Sequence, residues 1–106
     1  MYWCKHLYVG EYARKHRFSI IQKIRNREIQ QGVYILTPAS NDSNILDIFP
    51  SMTWCQMEES EQIEKERMIV GIAEGYEEAL LLAGRIIDEM YQETGAFHLR
   101  SFLENK

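Results

Sequence analysis

Cysteine and proline are scarce in this chain of 106 residues, with two of each. Cys4 and Cys55 lie far apart, with no CxxC or zinc-type spacing, so nothing reads as a disulfide framework or a zinc site. Free thiols buried as small hydrophobes are expected. Proline stands only at 38 and 50, and each closes an apolar run. No segment approaches the ~18 apolar residues of a membrane span. The opening stretch MYWCKHLYVGEYARKHRF has no apolar run of signal-peptide length, so a cytoplasmic location is expected. Internal repeats and low-complexity tracts are also missing.

What is present is the composition of a packed chain, 45% apolar and 11% aromatic. The length suits one domain over 1–106, folding without metal or disulfide. A net charge of −4 conceals an asymmetry: residues 1–30 carry +5 and residues 42–94 carry −10. Such a division bears on partners and self-association rather than on fold.

KHLYVG reads as a first strand ending at Gly10. In the basic segment that follows, Ile20, Ile21 and Ile24 share one helical face. Arg17 would interrupt that face, so the helix is expected to start near Phe18. Ser19 and Gln22 then supply a capping box, and Gly32 the stop. VYILTP (33–38) is a continuous apolar run, the pattern of a strand covered on both faces. After the turn formers ASNDSN, ILDIF returns as a strand with Leu46 and Ile48 opposite Asp47. SMTWCQM suits either strand or helix. A mobile acidic loop is expected around 57–67, which holds one apolar residue between 58 and 67. MIVGIA (68–73) is a second wholly apolar strand. A helix from Tyr76 to Thr94 with Gly95 as its stop follows it, and AFHLRSFL reads as a last edge strand.

The expected class is α+β: one mixed, mainly antiparallel sheet of four or five strands with two helices on one face. The element order is β-α-β-β-β-α, and the strand–helix–strand start implies a parallel crossover. The nearest named arrangement is ferredoxin-like.

Three sites compete. The stretch VGIAEGYEEALLLAG joins a strand, a glycine turn and a helix start, the parts of a phosphate cradle. It is neither GxGxxG nor a P-loop, and Glu74, Glu77 and Glu78 crowd the helix start. It reads as a connection, leaving a small-ligand site at the turn 71–78 as the second alternative. The first alternative is nucleic-acid binding through Arg14, Lys15, Arg17, Lys23, Arg25 and Arg27, with Tyr2, Trp3, Tyr8 and Tyr12 for stacking. His6, His16, His98, Cys4, Cys55 and Asp47 have no ligand-like spacing; no metal and no cofactor is expected.

The leading expectation comes from the last long helix. Projected at 100° per residue, Ala79, Leu80, Ala83, Ile86, Ile87, Met90 and Tyr91 form one arc, the expected core. Glu77, Glu78, Arg85, Asp88, Glu89 and Gln92 fill the other. Leu81 falls among the charges and Leu82 on the border. With Tyr76 they would mark an association surface, making the chain a non-enzymatic module that pairs with itself or another protein, oriented by complementary charge.

Overall fold

The computed structural model describes residues 2–39, 45–56, 68–96 and 98–104. Its centre is set by the two most apolar runs. β2 (Val33–Pro38) and β4 (Met68–Glu74) lie side by side and antiparallel, with Ile35 opposite Ile72. β1 (Tyr2–Val9) and β3 (Leu46–Pro50) form the edges, giving the order β1-β4-β2-β3. β1 runs parallel to β4, and β3 antiparallel to β2. The sheet is therefore mixed, with two of its three pairings antiparallel.

α1 (Arg17–Arg25) follows a 3₁₀ turn at Ala13–His16, α2 spans Ser51–Gln56, α3 Tyr76–Thr94 and α4 Leu99–Glu104. Alternation along β2 separates two cores. Val33 and Ile35 meet Ile20 and Ile24 of α1. Tyr34 and Leu36 turn to the layer holding Leu82, Ile86 and Met90 of α3 with Phe102 of α4. The helices thus cover both faces. This corrects the expectation of two helices on one face, and with it the ferredoxin-like arrangement. The physical reason is already in β2 and β4, whose uninterrupted apolar runs leave both faces in need of cover.

The parallel crossover is also corrected. β1 and β2 are not neighbours; β4 lies between them, so β1 finds its parallel partner at the far end of the chain. With Lys5 and His6 exposed, β1 suits an edge, whereas β4 is buried along most of its length. In place of a last edge strand stands α4, which buries Leu99, Phe102 and Leu103 against α3 and β1. Their i, i+3, i+4 spacing is that of a helix face. Removing one of the largest side chains in this layer, by Phe102→Ala, should cost about 3–5 kcal/mol in a urea-unfolding measurement.

Local signals fared unevenly. Gly95 ends α3 in the left-handed conformation with φ 68°, as its position implies. α1 instead starts at Arg17, placing Ser19 inside the helix, and no side chain caps it. It ends at Arg25, and Gly32 (φ 78°) serves the turn into β2. SMTWCQ is helical; the buried Ser51 hydroxyl donates to the Gln30 carbonyl at 3.1 Å. The acidic loop expected around 57–67 lies outside the described residues.

Candidate functional site

At the turn between β4 and α3, Gly75 adopts φ 94° and its N–H donates to the Gly32 carbonyl at 2.6 Å. Three residues on, the Glu78 side chain folds back under the helix. Its carboxylate accepts the backbone N–H groups of Tyr12, Ala13 and Glu74. Gly10 closes the nest from below; a Cβ there would stand 2.3 Å from the Glu78 carboxyl carbon. Free amides at the start of the 3₁₀ turn do form an anion site, and the chain fills it with its own side chain. The stretch from 70 to 84 runs from β4 through the Gly75 turn into α3. Glu78, expected on the solvated arc, is buried, where its carboxylate supplies the acceptor these amides need. Gly10→Ala should therefore destabilise the fold by about 1–3 kcal/mol through overpacking, readable as a lower Tm.

Gly71 has a packing role. A Cβ there would lie 3.2 Å from both Leu82 Cδ2 and the Tyr8 carbonyl oxygen, so the glycine lets α3 settle on the sheet.

Around α3, only Ala79, Leu82, Ile86 and Met90 among the apolar residues are fully covered. Leu82, at 4% exposure, is core and presents nothing to a partner, which corrects its assignment to an interface. Leu81 is 76% exposed and Tyr76 54%. Leu80 and Tyr91, expected in the core, are 48% and 53% exposed. Tyr76, Leu80, Ile87 and Tyr91 lie on one flank, where the Tyr34 ring of β2 meets Tyr76 edge-on at 5.6 Å. Leu81 lies on the other flank with Glu77 and Arg85, bordering a concavity of about 590 Å³.

The basic residues do not form one stripe. Arg14 and Lys15 sit on the 3₁₀ turn, Arg17, Lys23 and Arg25 on α1, and Arg27 beyond it at φ 55°. Arg25 lies over the Trp3 ring at 5.7 Å and Arg17 over Phe18 at 6.0 Å. Arg14 and Arg17 line a common concavity together with Arg85 of α3, which the sequence did not single out for binding. His16 Nδ1 stands 3.3 Å from Glu74 Oε2 at the surface. Among the described residues, no three metal-ligating side chains gather, and no helix is long and apolar enough to cross a membrane.

Comparison with protein-family models, curated proteins and solved structures finds no match. The functional reading therefore rests on the two flanks of α3. On the first, the residues that sequence reasoning missed are Leu80, Gly84, Ile87 and Tyr91. Their signal was a recurrence at three and four residues beside the core arc, which at 100° per residue merges with it.

Proposed function

We propose that this protein works by self-association, with α3 pairing antiparallel against α3 of a second copy. The observation that carries the reading is a self-complementary spacing. Leu80 and Ile87 stand three residues either side of the pair Ala83–Gly84, and Tyr76 and Tyr91 stand seven either side. A two-fold contact requires each patch to match itself reversed, and this stripe does so with its small residues at the centre.

Gly84 supports the reading independently. It lies inside a helix, where glycine costs about 1 kcal/mol relative to alanine. Among the described residues a Cβ there would meet nothing within 4 Å, so packing against them gives the glycine no purpose. Close approach of a second helix gives it one. No charged residue interrupts the stripe, and Tyr76, Leu80 and Tyr91 together leave apolar area of the kind that marks an interface.

Charge borders the contact without driving it. Glu77 and Asp88 flank the stripe on its solvent side, and antiparallel pairing brings these like charges to one rim. Added salt should hold or tighten the dimer, whereas pairing of the basic with the acidic half would weaken under it. Sedimentation of wild type at low and high salt separates the two. In the same measurement Leu80→Glu, present twice in a two-fold dimer, should weaken association by roughly 100-fold or more. Leu81→Glu, on the opposite flank, should leave it unchanged. A wild-type chain that sediments as a monomer up to high micromolar concentration sinks the proposal.

A further inference from the structure

Beside the second flank of α3 a concavity of about 390 Å³ is lined by His6, Tyr8, Arg14, Arg17, Arg85 and Glu89, among others. Three arginines from three separate elements line it. Arg14 and Arg17 come from the 3₁₀ turn and the start of α1, and Arg85 from the middle of α3. Like charges gathered on a concave wall raise the local potential and attract an anion.

The carboxylate within the concavity is already engaged. Glu89 accepts the Tyr8 hydroxyl at 2.7 Å and faces Arg85 Nε at 3.4 Å, while the Arg85 guanidinium lies over the Tyr8 ring at 5.8 Å. Tyr8, Arg85 and Glu89 thus hold one another. Arg14 and Arg17 are exposed and have no carboxylate within ion-pair distance among the described residues. Guanidinium forks match phosphate oxygens in pairs, which a single carboxylate or a chloride ion does not use as well.

The adjoining concavity shares Val9, Arg14 and Arg85 with this one. It adds two exposed apolar surfaces, Tyr12 and Leu81, together with the carboxylates of Glu11 and Glu77. Those acids would repel a second phosphate, and they disfavour a long polyanion following the same path. We infer that the paired concavities bind a small phosphate monoester, its phosphate held by Arg14 and Arg17 and its uncharged body lying against Tyr12 and Leu81. The site is on the flank of α3 away from Tyr76, Leu80 and Tyr91, so it stands independently of self-association. The nest at Glu78 is a separate place, filled from within.

The test is titration with phenyl phosphate and with inorganic phosphate, followed by amide NMR shifts and calorimetry. Phenyl phosphate should saturate in the millimolar range or below, bind more tightly than inorganic phosphate, and shift the amides of residues 6–9, 14, 17 and 85. The double variant Arg14→Ala/Arg17→Ala, at exposed positions, should keep the wild-type Tm. It should weaken phenyl phosphate at least about tenfold, since hydrogen bonds to charged groups are of that strength. Leu81→Ser should erase the preference for phenyl phosphate over inorganic phosphate, and Arg25→Ala, outside the concavity, should change neither. Absence of saturable binding in the millimolar range overturns the assignment, as does unchanged affinity in the double variant. Salt-dependent binding of a single-stranded oligonucleotide through Arg14 and Arg17 that phenyl phosphate does not compete away would overturn it in favour of nucleic acid.

Discussion

Glu78→Ala should destabilise the fold by roughly 3–5 kcal/mol, the largest loss expected from any single acidic residue here. The substitution removes one carboxylate but leaves three backbone donors, at Tyr12, Ala13 and Glu74, without the acceptor that joins them. Those amides belong to the 3₁₀ turn and to the end of β4, so a single side chain fastens the first helical segment to the central strand and to α3. An unmet buried donor costs about 1–3 kcal/mol, and a bond to a charged acceptor contributes about 1.5–3. Against a total stability of about 5–15 kcal/mol the loss is severe. Glu78→Gln, of nearly the same volume, turns an amide NH₂ toward donors it cannot accept from, and should recover only part of the loss. Glu77→Ala, one residue earlier in the same first turn and exposed, should cost no more than about 1 kcal/mol through the helix dipole. Urea unfolding of the three variants decides the matter. Equal effects at 77 and 78 would mean that Glu78 serves the dipole alone and that the nest does not hold the fold.

Gly84→Glu should move two quantities in opposite directions. In the isolated chain, exchanging an exposed mid-helix glycine for a better helix former should raise stability by a few tenths of a kcal/mol, even after repulsion from Asp88 four residues on. In the dimer the same change places two carboxylates at the two-fold axis, where the helices approach most closely, and association should be abolished. Self-association stabilises a fold by mass action. The wild-type Tm should therefore rise with protein concentration, while the variant should start slightly higher and stay flat. A variant that is more stable when dilute yet associates like wild type would separate Gly84 from the contact.

The parts of the fold legible in the sequence were those set by runs and stops. β2, β4 and the whole of α3 could be bounded because β-branched apolar stretches, Pro38 and Gly95 act locally. Layering was legible in principle, since two-sided apolar strands need two layers, but assigning both helices to one face ignored that need. The edge position of β1 depended on competition between strands for the centre, which no single segment reveals. On α3, an arc of seven apolar residues read as core was too wide. A helix about 10 Å across meets a sheet along a narrow strip, so Leu80 and Tyr91 are left on the flank and Leu82 is drawn under it. Glu78 was legible as a first-turn acid, but two of the three amides it serves lie more than sixty residues away. The helical spacing of Leu99, Phe102 and Leu103 was present, yet the alternation of Phe97 with Leu99 read equally well as a strand. Arg85 gains its meaning only when α3 is set beside the 3₁₀ turn.

The most direct measurement of self-association through α3 is oxidative cross-linking of Gly84→Cys beside Leu81→Cys, with the unmodified chain as control. A disulfide forms only where two Cα atoms come within roughly 4.4–6.8 Å, and in an antiparallel pair centred on Ala83–Gly84 residue 84 lies next to its own copy. Cys4, being buried, contributes little to the background. Gly84→Cys should give a covalent dimer under mild oxidation, at concentrations where Leu81→Cys and the control stay monomeric. Equal cross-linking at 81 and 84, or none at 84, would contradict pairing through α3.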